Sequence, residues 1–187
     1  MVTTPNILAD AESRMKKAVE ALRREMTTVR TGRANPALVE HLPVDYQGVP
    51  MPLNQLASIT APEARLLVVQ PWDRQTLTWI EKAILRSDLG ITPVNDGTVL
   101  RLALPILTEE RRRQLERLVK AKTEEGRVAV RNVRRDAVER VREMEKSKEI
   151  SQDDSRRAID RLQRLTDTSI AQMDQLLETK EAEVMEG

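Results

Sequence analysis

The stretch Arg127-Val-Ala-Val-Arg131-Asn-Val-Arg134-Arg135-Asp136 lies inside Glu109–Lys148, a forty-residue segment with no proline and a single glycine. As a helix, this segment would be about 60 Å long, which is more than a compact domain needs to cover its own core. At about 100° per residue, its apolar and basic residues form two stripes separated by about 120°. The segment therefore predicts a long helix that packs on one side and presents a basic surface on another. The apolar stripe is Val119, Gly126, Val130, Val133, Ala137, Val141 and Met144, and the basic stripe is Arg113, Lys120, Arg127, Arg131 and Arg134.

Two further segments have the apolar periodicity of amphipathic helices. The first begins at Asn6, which is a suitable N-cap, and continues to about Arg30. The second follows Ser151, which precedes the acidic pair Asp153 and Asp154, as is typical of a helix start. Its apolar seam predicts that Leu162 faces a core, together with Ala158, Ile159, Leu165, Ser169, Met173, Leu176, Leu177 and Val184. Residues 1–30 and 106–187 are therefore expected to form a three-helix bundle.

The intervening residues, 31–105, have a different composition. Eight of the nine prolines and all three aromatic residues lie there. Short apolar runs predict strands at Leu42–Tyr46, Ala57–Ala61, Leu66–Gln70 and Val99–Leu104, with a hairpin turn at Gln47-Gly48 and a helix at Arg74–Ser87. We expect a small β/α/β domain inserted between two long helices, which gives an α+β protein of two domains. Core packing is the expected role of Trp72 and Trp79 in this domain.

Two short segments connect the predicted domains, so together they set the angle between them. The first contains Gly32, which is able to take the left-handed conformation beyond the end of the first helix. The second is the segment that ends at Thr108, the expected N-cap of the long basic helix. The hinge residues are therefore expected to be Gly32, Arg33, Pro105, Ile106, Leu107 and Thr108.

Residues suited to catalysis are scarce. The chain has no cysteine, so disulfides, thiol catalysis and cysteine metal sites are excluded. His41 is the only histidine and has no nucleophile pattern around it, and the glycines do not form a phosphate-binding loop. We expect no enzymatic activity, no metal and no cofactor. The sequence also has neither an apolar run of about 20 residues nor an apolar leader, so a cytoplasmic protein without a membrane anchor is expected.

The net charge of +1 conceals a strong separation of charge. Glu109–Lys148 has fourteen basic and nine acidic residues, whereas Glu149–Gly187 has five basic and ten acidic residues. Arginine binds phosphate oxygens in a bidentate manner, and the basic stripe lacks the aromatic residues that stack on single-stranded bases. Two interpretations remain open at this point. The arginines bind the backbone of structured RNA, or they form ion pairs with the acidic last helix.

Several motifs, in order along nearly the whole chain, resemble the bacterial ribosome recycling factor family. They are Arg30-Thr-Gly-Arg-Ala34, Leu56-Ala-Ser58, Ser87-Asp-Leu-Gly90, Leu107-Thr-Glu-Glu-Arg-Arg112, the stretch from Arg127 to Asp136, and Lys148-Glu-Ile-Ser-Gln-Asp-Asp154. The resemblance implies an L-shaped protein whose small domain is carried on two linkers. It also implies a monomeric translation factor without catalysis of its own. Such a factor binds the large ribosomal subunit after peptide release, across the aminoacyl and peptidyl sites, and separates the subunits with elongation factor G and GTP.

The resemblance also suggests which residues contact ribosomal RNA. Family arginines match Arg131 and Arg134 in the long helix, with Arg127 and Arg112 as further candidates. A second arginine motif, near the expected hinge, matches Arg30 and Arg33. The expected partners are therefore ribosomal RNA of the large subunit and elongation factor G.

Overall fold

The structure is a computed structural model that describes residues 2–186. Within this range the chain forms four α-helices: α1 (Thr4–Thr28), α2 (Leu77–Arg86), α3 (Glu109–Lys146) and α4 (Gln152–Glu186). It divides into two compact units. The first unit contains the residues up to Val29 together with Arg113–Ala182, and the second contains Arg30–Arg112 together with the residues from Glu183 onward. None of the helices in the described range has the length and apolar composition needed to cross a membrane.

The first unit is a bundle of α1, α3 and α4. Its core consists of aliphatic and methionine side chains at helical spacing, so no aromatic residue is needed to fill it. At Gly126 of α3, an added Cβ would lie 3.2 Å from Sδ of Met173 in α4 and 3.5 Å from Cδ2 of Leu22 in α1. This close approach explains why the long helix has a glycine at that point. The buried core residues include Ala11, Met15, Val19, Leu22, Leu115, Val119, Val130, Val141, Leu162 and Met173.

The seam of α4 is more polar than its sequence predicted. Ser169 is buried as expected and Thr166 is buried as well, whereas the expected core residues Leu165, Leu176 and Leu177 are only half-buried. The Thr166 hydroxyl donates a hydrogen bond to the carbonyl oxygen of Leu162 at 2.8 Å, so its burial leaves no unsatisfied donor. The leucines therefore flank the seam, and small polar residues occupy part of its centre.

The helix starts confirm two predicted caps and correct a third. Thr108 Oγ1 accepts a hydrogen bond from the amide of Arg111, and Ser151 Oγ accepts one from the amide of Asp154. The prediction that Asn6 caps α1 was wrong, because Thr3 is the N-cap and its side chain accepts from the amide of Asn6. The proline that follows Thr4 fits this earlier start, since proline needs no hydrogen-bond acceptor in the first turn.

The second unit contains six strands. They are β1 (Pro43–Tyr46), β2 (Val49–Pro52), β3 (Ala57–Glu63), β4 (Leu66–Pro71), β5 (Pro93–Asn95) and β6 (Leu100–Ala103). Strands β1 and β2 form a hairpin, and the others form an antiparallel sheet in the order β3-β4-β6-β5. Helix α2 contributes Leu77, Ile80 and Ile84 to a core that includes Leu67, Val69, Leu100 and Leu102. The predicted α+β class, with a helical bundle and a small β-containing unit, is confirmed.

The three aromatic residues all belong to this second unit. Tyr46 of β1 and Trp79 of α2 pack edge-to-face, with their ring centroids 5.7 Å apart. Trp79 is partly buried, which agrees with the expected packing role. For Trp72 that expectation was wrong, because its side chain is 68% exposed just after β4.

Gly32 has a backbone conformation that other residues avoid. Its φ is +77°, which is the left-handed region expected from the sequence. An added Cβ would lie 3.1 Å from Cγ of Leu107, another predicted hinge residue in the same unit. Both the backbone and its surroundings therefore favour glycine at this position.

Candidate nucleic-acid interface

The candidate interface is a row of arginines along α3 in the first unit. Arg127, Arg131 and Arg134 are separated by four and three residues, so helical geometry places them on one side of α3. The same side lies next to α4, because Arg127 and Arg134 both contact residues of that helix. The structure thus brings these three predicted residues together, but it surrounds each of them differently.

Arg127 is held by α4. Its Nε donates to Oδ1 of Asp174 at 2.9 Å, its Nη2 donates to the same oxygen, and its Nη1 donates to Glu124 at 3.1 Å. These hydrogen bonds, above all those to Asp174, raise the pKa of Arg127 above its ordinary value. The side chain is only 22% exposed. For Arg127, the structure therefore supplies the interhelical ion pair that the sequence left open as the alternative to RNA binding.

Arg131 is far more accessible. Its side chain is 55% exposed, and its Nη1 donates to Oε1 of Glu124 on the same helix at 3.2 Å. Hydrogen bonds from Arg127, and then from Arg131, lower the pKa of the Glu124 carboxyl below its ordinary value. An exposed ion pair of this kind contributes little free energy, so a phosphate group can replace Glu124 at low cost.

Arg134 has a neutral partner on α4. Its Nε donates to Oε1 of Gln163 at 3.1 Å, and Nε2 of Gln163 donates to Oδ1 of Asp167 at 2.8 Å. The amide orients one edge of the half-buried guanidinium without neutralising its charge. Arg134 is thus a positioned cation, which suits the bidentate binding of a phosphate.

Two neighbouring arginines were not among the predicted site residues. Arg135 and Arg142 are exposed, and neither forms an ion pair within residues 2–186. Together with Arg131 and Arg134 they line a shallow hollow of about 390 Å³. Their spacing from Arg131, four and eleven residues, is a helical signal that the sequence contained. The exposed basic surface is therefore wider than the predicted row.

Two further charged contacts between helices of this unit are longer. Lys120 Nζ lies 3.8 Å from Glu181 of α4, and Lys122 Nζ lies 3.6 Å from Glu25 of α1. Ion pairing with α4 thus involves Arg127 and Lys120. It does not account for Arg131, whose carboxylate partner lies on its own helix, or for Arg135 and Arg142.

The remaining predicted residues belong to the second unit. Arg30 is exposed, Arg112 is half-buried in the first turn of α3, and Arg33 Nη1 lies 3.4 Å from Oε2 of Glu186. His41 is exposed, and its Nε2 lies 3.3 Å from Oε1 of Glu40. This pair lies on the surface, and nothing in its geometry indicates catalysis.

Nearly the whole chain matches known proteins. The model of the ribosome recycling factor family matches residues 22–185. The ribosome-recycling factor of Roseiflexus sp. (strain RS-1) is 58% identical over 181 residues, which cover 97% of this chain and 98% of that protein. The chain belongs to the ribosome recycling factor family. The family member from Carboxydothermus hydrogenoformans is 55% identical over 180 residues, which cover 96% of this chain and 97% of the relative.

Solved structures of ribosome recycling factors are similar over the full length. A solution structure of a ribosome recycling factor has a TM-score of 0.71 and 47% identity, and it covers 99% of both chains. A second structure has a TM-score of 0.65, 48% identity and complete coverage of both chains. It belongs to models of the T. thermophilus ribosome recycling factor and the E. coli elongation factor G bound to the E. coli post-termination complex.

In this member of the family, Arg127 is expected to stabilise the bundle. Arg127→Ala removes an interhelical ion pair, so we expect the free energy of unfolding to fall by about 1 kcal/mol. Urea unfolding followed by far-ultraviolet circular dichroism measures the change. Arg140→Ala is the matched control, because Arg140 is exposed and forms no ion pair within residues 2–186. Equal stability of the two variants would contradict the role assigned to Arg127.

Proposed function

We propose that this chain is a cytoplasmic, monomeric translation factor that binds the post-termination ribosome through ribosomal RNA of the large subunit. With elongation factor G and GTP, it then promotes separation of the subunits. Membership of the ribosome recycling factor family supports the reaction. The single observation that supports RNA as the ligand is the basic surface around Arg131, whose ion-pair partner within residues 2–186, Glu124, lies on the same helix.

Within this proposal, the arginines have different roles. Arg131 and Arg134 bind phosphate groups directly, because both present a guanidinium whose charge no neighbouring helix neutralises. Arg127 supports them by tying α3 to α4 through Asp174. Arg30, Arg33 and Arg112 provide further RNA contacts in the second unit.

The mechanism requires binding and movement rather than bond chemistry. The bundle, residues 1–30 with 106–187, binds the large subunit and transmits force along its helices. The small domain, residues 31–105, moves on the two linkers. Elongation factor G supplies the energy through hydrolysis of GTP. A stiff bundle and a movable small domain let one bound factor couple that energy to subunit separation.

Subunit separation is the direct test. Post-termination ribosomes are mixed with this protein, elongation factor G and GTP, and light scattering follows their dissociation. We expect the scattering to fall only when all three components are present. Dissociation that is no faster than with elongation factor G and GTP alone would exclude the proposed function.

The linkers give a separate prediction. Gly32→Val places a branched side chain at a φ of +77° and against Leu107, so we expect the linker to change its conformation. Subunit separation should slow by about tenfold, whereas affinity for the large subunit should fall much less, since Arg131 and Arg134 are untouched and the change is confined to the linker that carries Arg30 and Arg33. Filter binding and light scattering on one preparation measure both effects. An equal loss of binding and of separation would contradict the hinge role.

A further inference from the structure

The turn between α3 and α4 contains a lysine in a backbone conformation that favours glycine. Lys148 has a φ of +63°, and within residues 2–186 Gln47 is the only other residue apart from glycine with a positive φ. The amide of Lys148 donates to the carbonyl oxygen of Glu145 at 3.0 Å, and the amide of Glu149 donates to that of Met144 at 2.9 Å. Glycine commonly occupies this position after the end of a helix. A lysine here therefore costs the fold conformational free energy.

The charge of Lys148 has no partner in the described part of the chain. Its side chain is exposed and forms no ion pair within residues 2–186, although Glu145 and Glu149 are close in sequence. The lysine charge thus stabilises neither the turn nor the bundle. Neither the backbone nor a neighbouring carboxylate accounts for a lysine at this position.

Lys148 lies at the end of the exposed basic surface of α3. Arg131, Arg135, Arg142 and Lys146 are spaced by four, seven and four residues, which places them within about 60° of one another around the helix. Arg142 and Lys146 are exposed, and neither forms an ion pair within the described residues. The basic surface thus continues for about 22 Å beyond Arg131 and reaches the turn.

We propose that Lys148 is a further RNA contact of this chain, an inference that rests on the proposed function. Its ammonium group binds a phosphate of ribosomal RNA in the large subunit, next to phosphates bound by Arg142 and Lys146. Glu139 and Glu143 lie on the adjoining flank of α3, so they do not separate these cations. A lysine binds phosphate as a point charge on a flexible stem, so the contact needs no base-specific geometry.

Glycine at position 148 separates stability from binding. Lys148→Gly should raise the melting temperature of the bundle, because glycine adopts a positive φ without steric cost. It should nevertheless weaken binding to the large subunit by about three- to tenfold, since one phosphate contact is lost. The logarithm of affinity should depend less steeply on the logarithm of salt concentration, by about 0.9. Lys148→Arg retains the charge and should bind like the wild type. Circular dichroism and filter binding measure the two effects.

Two control variants test the backbone change and the charge change separately. Gln47→Gly removes the same kind of backbone strain from the hairpin of the second unit, and it should bind like the wild type. Arg140→Ala removes one exposed charge from the flank of α3 that faces α1, and it should also bind like the wild type. A Lys148→Gly variant that binds as tightly as these controls would overturn the proposed contact.

Crosslinking identifies the class of molecule that Lys148 meets. The chain has no cysteine, so Lys148→Cys provides a single attachment site for a benzophenone. On the large subunit, this label should crosslink to ribosomal RNA. A label that crosslinks to ribosomal protein alone, or to nothing, would exclude the RNA contact.

Both assays are independent of elongation factor G and GTP. If the wild type binds the large subunit but does not separate subunits, the proposed function fails, and binding and crosslinking still decide the role of Lys148. If the wild type separates subunits and Lys148→Gly binds normally, only the role of Lys148 fails. A wild type that does not bind the large subunit would overturn both.

Discussion

The Leu162→Ala variant is expected to lose about 2–5 kcal/mol of unfolding free energy, the largest stability change that we predict. Leu162 is fully buried in the seam of α4, and truncating it to alanine leaves a cavity in a close-packed core. Urea unfolding followed by far-ultraviolet circular dichroism reports this change, because the signal comes mainly from the helices. A bundle that is weakened by this amount should also transmit force less well during subunit separation.

A leucine on the surface of the same bundle provides the control. Leu118 of α3 is 42% exposed, so Leu118→Ala should change the unfolding free energy by less than about 0.5 kcal/mol. The difference between the unfolding free energies of the two variants gives the effect of burial, because both exchange leucine for alanine in a helix. Similar unfolding curves for both variants would show that the α4 seam is assigned to the wrong face.

Arg131→Ala and Arg134→Ala are each expected to weaken binding to the large ribosomal subunit by about ten- to a hundredfold. A charge-assisted hydrogen bond to phosphate contributes about 1.5–3 kcal/mol, which corresponds to that range of dissociation constants. The logarithm of affinity should also depend less steeply on the logarithm of salt concentration, by about 0.9 for each phosphate that the variant no longer neutralises. Filter binding at several salt concentrations measures both quantities.

The competing interpretation gives the opposite result for these variants. If Arg134 serves only to join α3 to α4 through Gln163, its removal should lower the melting temperature and leave ribosome affinity unchanged. Arg140→Ala provides the control for charge. Arg140 lies five helical turns after Lys122, so it shares the flank that contacts Glu25 of α1 and not the flank of Arg131. A destabilised Arg134→Ala that binds normally would exclude the proposed RNA contact.

The helices were predictable from the sequence because each bundle helix repeats its apolar residues over many turns. Two strands were not, because Val49–Pro52 and Pro93–Asn95 each contain proline and are too short to show alternation. The hairpin turn at Gln47-Gly48 was nonetheless predicted correctly. Long periodic signals thus identified the bundle, whereas the smaller unit depends on pairings between distant residues that no local pattern reveals.

The side chains that contact the arginines could not be predicted from the sequence either. Arg127 and Asp174 are forty-seven residues apart, and only the alignment of α3 with α4 brings them together. The sequence placed Arg127 and Arg131 in one row. It did not indicate that Arg127 forms an ion pair with α4 whereas Arg131 is exposed. It also missed Arg135 and Arg142, since exposure depends on where the neighbouring helices lie.

Tyr46, Trp72 and Trp79 all lie in the second unit, so they serve as intrinsic fluorescence probes of that unit. Its intrinsic fluorescence arises entirely from that unit, because the chain contains no other tyrosine or tryptophan. At a ring separation of 5.7 Å, excitation of Tyr46 passes to Trp79, so tyrosine emission emerges only when the hairpin leaves α2. Fluorescence and circular dichroism therefore follow the two units separately in one unlabelled sample, and their denaturation curves reveal whether the units unfold together.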